Sequence, residues 1–193
     1  MVQEILFYFE LGWRHILSID ATDHLLFLLT LTCIYFKEKK SAILILITAF
    51  TIGHTTTLIL STFDLIKINS QWVEFLIALT IVFSALNSLF SLGSLKKSMV
   101  INYFIAVGFG LIHGLGFAKT IKMMLASEQT IFVPLLFFNI GLELAQIVVI
   151  SILLLISILM FRLFKVEEKN WTIMILVISL ILGLRWCFIR WPI

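Results

Sequence analysis

Residues 41–63 read SAILILITAFTIGHTTTLILSTF, without one residue that is fully charged at neutral pH. About 20 predominantly apolar residues in a helix suffice to cross a bilayer, and this run exceeds that length. Its single titratable side chain is His54, roughly 20 Å along the helix from Ser41 at about 1.5 Å per residue. A histidine at that depth costs several kcal/mol unless it is paired, so the run carries both a fold and a functional question.

The pattern repeats outward from this run. Expected spans lie at about 21–36, 41–63, 72–92, 99–118, 131–161 and 171–189. The first is short and reaches spanning length only if it begins near Ala21. The fifth is long for one crossing, which calls for tilt or an extension past the membrane. The 193-residue chain is 61% hydrophobic and 13% charged, against roughly half apolar in a soluble domain. The expected fold is therefore an all-α bundle of about six transmembrane helices, one domain over 1–193. Residues 2–19 mix apolar positions with Glu4, Glu10 and Arg14, and read as an interfacial or re-entrant helix.

Charge lies mostly in short clusters between the apolar runs, so the net charge of +3 describes loops and gives no nucleic-acid footprint. Lys37, Lys39, Lys40, Lys96, Lys97, Arg162, Lys165 and Lys169 follow alternate spans. Arg14, Lys67, Lys119, Lys122 and Arg190 fall on the other side. The larger basic group belongs inside, which puts both termini outside. Cys33 and Cys187 sit within apolar runs and read as core residues rather than a disulfide. Met1 to Glu10 lacks a basic n-region, so no cleavable signal peptide is expected.

All four histidines, His15, His24, His54 and His113, lie in or beside apolar spans, as do Asp23, Glu74 and Glu143. His113 stands about 21 Å from Met99, a depth matching that of His54. Glu143 falls near the middle of the fifth span. Asp23, His24 and Glu74 fall at outer ends, and Asp20 and Glu10 read as solvated. The matched depths point to one buried His/carboxylate site open to the outside. Imidazole with carboxylate suits a borderline divalent ion such as zinc or nickel. The ion would serve as transported substrate or as bound cofactor. Asn139, Glu143 and Gln146 share one face of the fifth span, and Asn87 lies in the inner half of the third. These three amides are expected to support the site. His113 lies in Gly108-Phe109-Gly110-Leu111-Ile112-His113-Gly114-Leu115-Gly116, where small residues admit a close neighbour.

The order of motifs resembles the HupE/UreJ family of small bacterial membrane proteins. The likeness is carried by His15-Ile16-Leu17, by Asp23-His24-Leu25-Leu26-Phe27, and by Phe50-Thr51-Ile52-Gly53-His54-Thr55-Thr56-Thr57-Leu58. It continues through Val73-Glu74, Gly110 to Ala118, and Phe138-Asn139-Ile140-Gly141-Leu142-Glu143-Leu144-Ala145-Gln146. The resemblance implies nickel uptake linked to hydrogenase or urease maturation, through a permease of the bacterial cytoplasmic (inner) membrane. By the same resemblance His15, Asp23, His24, His54, Glu74, His113 and Glu143 would be metal-handling positions. Two departures from the nickel-transporting branch stand out. Seven residues separate His15 from Asp23, a wider spacing than in that branch, and no acid closely follows His113-Gly114.

Two functions of different class follow. One is a divalent-metal permease, in which the outer residues capture the ion and the deeper ones replace its water shell. The other is a membrane-embedded zinc hydrolase acting on a lipid or lipid-linked group, with a carboxylate as base for metal-bound water. A permease needs a polar route to the inner face, and an enzyme does not. The expected partners are the bilayer and a divalent ion, with the oligomeric state open, a homo-oligomer included.

Overall fold

A computed structural model describes residues 2–18, 21–35, 40–92, 99–125 and 130–192. Asp20 and the loop lysines Lys37, Lys39, Lys96 and Lys97 lie outside the described residues, as does the expected end of the first span at Phe36. All regular structure among the described residues is helical. The elements are α1 (Val2–Leu17), α2 (Thr22–Thr32) with a 3-10 turn at Cys33–Tyr35, α3 (Lys40–Thr62), α4 (Ser70–Ser91), α5 (Met99–Leu125), α6 (Phe132–Arg162) and α7 (Glu168–Ile189).

Helices α3 to α7 are each long and apolar enough to cross a membrane. Their outward faces carry large exposed apolar side chains, among them Phe83, Phe90, Phe104 and Phe188. Exposed apolar area on that scale has lipid as its solvent, and helices suit lipid because each satisfies its own backbone polar groups. Hydroxyls within the spans follow the same rule. Thr56 and Thr62 donate to carbonyls one turn back, Ile52 and Leu58, at 2.7 and 2.8 Å. Helix α5 runs past Ala118, its expected end, because Ile121 and Leu125 remain buried while Lys119 is exposed and Lys122 half-exposed.

Close backbone packing organises the bundle. A Cβ at Gly110 of α5 would lie 2.1 Å from the Phe50 carbonyl oxygen of α3, and a Cβ at Gly53 of α3 would lie as close to that of Val107. The two helices thus touch main chain to main chain, as small residues permit in membranes. The same device joins α1 to α6, where a Cβ on Gly12 would meet the Phe138 oxygen at 1.9 Å. Helix α1 packs extensively along α6, so this N-terminal segment is docked on the bundle. Helix α4 is flanked by α2, α5 and α7. Asn69 caps its start, accepting the Gln71 N–H at 2.9 Å.

Candidate metal centre

Four helices each bring one histidine to a common place. His15 comes from the last turn of α1, His24 from the first turn of α2, His54 from the middle of α3 and His113 from the middle of α5. Ring centroids are 4.7 Å apart for His15 and His24, 5.5 Å for His15 and His54, and 4.9 Å for His24 and His113. One ring nitrogen from each of His15, His24 and His54 lies within 4.8 Å of the other two. The glycine contacts explain the approach of α3 and α5: a Cβ on Gly114 would lie 2.4 Å from the His54 carbonyl oxygen.

Five of the eight ring nitrogens at this place are buried without a partner among the described residues. His15 Nε2, His24 Nε2, both nitrogens of His54 and His113 Nδ1 make no hydrogen bond there. Leaving so many buried polar atoms unsatisfied costs on the order of 1–3 kcal/mol each. A cation held among them would recover that loss. Tetrahedral coordination at about 2.0–2.1 Å sets neighbouring nitrogens roughly 3.3 Å apart. Small ring movements from the present separations would complete such a triad, so the donor set fits a divalent ion.

Asp23 and Glu74 take separate places around the histidines. Asp23 Oδ1 is 3.0 Å from His24 Nδ1 and also accepts the His24 backbone N–H at 2.9 Å. This locks the His24 ring and leaves Nε2 free, the arrangement by which a carboxylate orients a metal-binding imidazole. Glu74 stands at the mouth, where its Oε2 lies 3.2 Å from Arg190 Nη1. The same guanidinium nitrogen is 3.5 Å from Asp23 Oδ2. A cavity of about 190 Å³ opens here and is lined by His15, Asp23, His24, Glu74, His113 and Arg190. His54 is fully buried behind it. Phe117, Phe138 and Phe50 wall in the rings, Phe138 stacking on His54 at 6.2 Å. These aromatic walls are apolar, which strengthens any charge interaction beside them.

The residues expected on α6 are placed elsewhere. Glu143 accepts the Thr48 hydroxyl at 2.6 Å, Gln146 that of Thr51 at 3.1 Å, and Asn139 that of Thr55 at 2.5 Å. All three bind α6 to α3 along a polar seam beside the histidines. Asn87 is half-buried on α4, two turns after Thr80, with its backbone carbonyl taking the Ser91 hydroxyl.

Two features lie outside the site residues expected from the sequence. Arg190 follows the last helix and, in sequence, is only another terminal basic residue. The second is a line of buried hydroxyls between α2 and α4. Thr80 Oγ1 is 3.1 Å from His113 Nε2, Thr30 donates to Ser84 Oγ at 2.9 Å, and Ser88 donates to the Thr30 carbonyl at 2.9 Å. Thr80, Ser84 and Ser88 recur every four residues on one face of α4, a spacing that could have flagged them. Near the start of α5 the buried Asn102 amide donates to the Tyr35 hydroxyl.

Comparison with known proteins gives one finding. The family described as HupE / UreJ protein matches the chain over residues 1–190. No curated protein and no solved structure matches it.

Proposed function

The chain belongs to the HupE/UreJ family, and from that premise we propose that it is a permease for a divalent metal ion of the nickel type. The observation that supports this reading is the convergence of His15, His24 and His54, with one nitrogen of each within 4.8 Å of the others, and each ring keeps at least one nitrogen without a hydrogen-bond partner among the described residues. Asp23 and Glu74 would draw the cation to the mouth, and His24 and His15 would take it up. His54 and His113 would strip the remaining water. Glu143, Asn139 and Gln146 would support the walls by holding α6 against α3.

Passage needs a second half to the route. The hydroxyl line from Thr80 through Thr30, Ser84 and Ser88 begins on His113 and runs toward the end of the bundle that carries Tyr35 and Asn102. Hydroxyls bind a divalent ion more weakly than imidazole does, and weak sites favour release. In this reading the six crossings are α2 with its 3-10 turn and α3 to α7, in a bacterial cytoplasmic membrane with both termini outside.

One observation favours a resident zinc and a hydrolase instead. The Asp23–His24 pair fixes a ligand as firmly as catalytic zinc sites do. His15, His24 and His54 would then hold the ion, and the ion would acidify water for attack on a lipid-linked group.

The test is metal content and uptake measured on one preparation. Protein purified in detergent without chelators is assayed for bound metal, then placed in liposomes carrying a Ni²⁺-sensitive dye. A permease holds little metal, binds Ni²⁺ reversibly and admits it, and the His54→Ala/His113→Ala variant does neither. One zinc per chain that survives dialysis, with no Ni²⁺ entry, overturns transport in favour of the enzyme.

A further inference from the structure

Beside the histidine cavity, and sharing Glu74 and Gly116 with it, lies a second cavity of about 330 Å³. It is cut between the turn that follows α3 and the facing ends of α4 and α5. Lys67, Lys119 and Lys122 line it. Asp64 opens the turn in the left-handed region, φ 59°, where the Leu65 N–H returns to the Leu60 carbonyl and ends α3.

That turn sets the charges in order. Lys122 donates to Asp64 Oδ2, and Lys67 Nζ lies 3.4 Å from Oδ1. These two contacts hold the Asp64 carboxyl below its ordinary range, so it stays ionised and aligns both ammonium groups along one edge. Lys119, one turn before Lys122 on α5, makes no ion pair among the described residues. Glu74 is already engaged by Arg190. The cavity therefore keeps uncompensated positive charge.

A buried donor stands among these charges. Ser61 lines the cavity at 8% exposure, and its hydroxyl has no partner among the described residues. An orphan hydroxyl beside ammonium groups is the donor set for an oxyanion, because each O–H and N–H offered to it is charge-assisted. Phe63 and Leu65 next to the opening are strongly exposed and apolar, so the cavity opens at the level where lipid begins.

We propose that this cavity binds a phosphate group, with Ser61 donating to one oxygen and Lys119 to another, and that the phosphate is the headgroup of an anionic lipid. No metal enters the argument, and the site stands whether or not the histidines carry an ion.

The test uses the full chain in neutral detergent. Native mass spectrometry counts phosphatidylglycerol and phosphatidylcholine adducts offered in equal amounts. In parallel, thermal unfolding is followed in sodium phosphate against sodium chloride of equal ionic strength. Wild type should prefer phosphatidylglycerol. Lys119→Gln, an exposed change that leaves packing alone, should lower that preference about fivefold. Ser61→Ala should lower it further, and Lys165→Gln, on a distant loop, should not. Phosphate stabilising wild type but not Lys119→Gln, without any lipid preference, keeps the oxyanion site and assigns it a soluble ligand. Equal adducts of both lipids and no phosphate effect in wild type overturn the proposal. So does a preference unchanged by Lys119→Gln and Ser61→Ala.

Discussion

The Arg190 guanidinium nitrogen lies 3.2 Å from Glu74 Oε2, across the mouth of the histidine cavity. It also reaches Asp23, so one tethered cation occupies both acids that an incoming metal ion would meet.

Replacing that cation should open the entrance. Arg190→Gln should tighten Ni²⁺ binding severalfold in isothermal titration, since the ion no longer competes with a fixed positive charge. The stability loss should stay within about 1 kcal/mol, because the pair is partly solvated. Unchanged affinity would show Arg190 to be a structural clasp between α7 and the mouth.

Asp23 acts through His24 in this geometry, so its removal tests orientation rather than charge alone. Asp23→Asn should weaken metal binding by about 10–100-fold, the range typical of lost second-sphere carboxylates. Glu143→Gln, whose carboxylate is engaged by Thr48, should change affinity less than threefold, a small effect by the same scale. A larger loss for Glu143→Gln than for Asp23→Asn would place the ion against α6 instead.

Helix approach is tested by two glycines two residues apart on α5 but opposite in surroundings. Gly110→Ala would drive a Cβ to 2.1 Å from the Phe50 oxygen, whereas a Cβ at Gly108 meets nothing within 4 Å. Gly110→Ala should cost about 3 kcal/mol or more in detergent unfolding and separate His54 from His113. Gly108→Ala should be neutral or slightly stabilising, by up to about 1 kcal/mol.

Transport and binding should come apart at the hydroxyl line. Ser84→Leu fills the space between α2 and α4 without touching a histidine, and should leave Ni²⁺ affinity within about threefold while uptake into liposomes falls at least tenfold, a barrier change of about 1.4 kcal/mol. Uptake at the wild-type rate would move the inward route elsewhere.

Much of this was legible in the chain. Five long charge-free or nearly charge-free runs dictate membrane helices, because backbone polar groups in lipid have no other solution. The motif around His113 announced a close helix contact through its glycines, and Gly110 and Gly114 make it. The depth of His54 and His113, counted along two parallel spans from the same side, brought them to one level. The same counting put Glu143 near that level, yet depth says nothing of azimuth: Glu143 faces Thr48, off to the side of the histidine rings.

The sequence by itself determined the solvent, the helices and the inventory of buried imidazoles, since these depend on local hydropathy and on the cost of burying polar atoms. Only the tertiary structure decided which imidazoles share an ion-sized space and that Asp23 serves His24. It alone brought Arg190, 167 positions from Asp23, to the mouth. Those outcomes depend on how helices rotate and cross once glycines let their backbones touch, and that rotation is set by packing between distant segments, which no local pattern records.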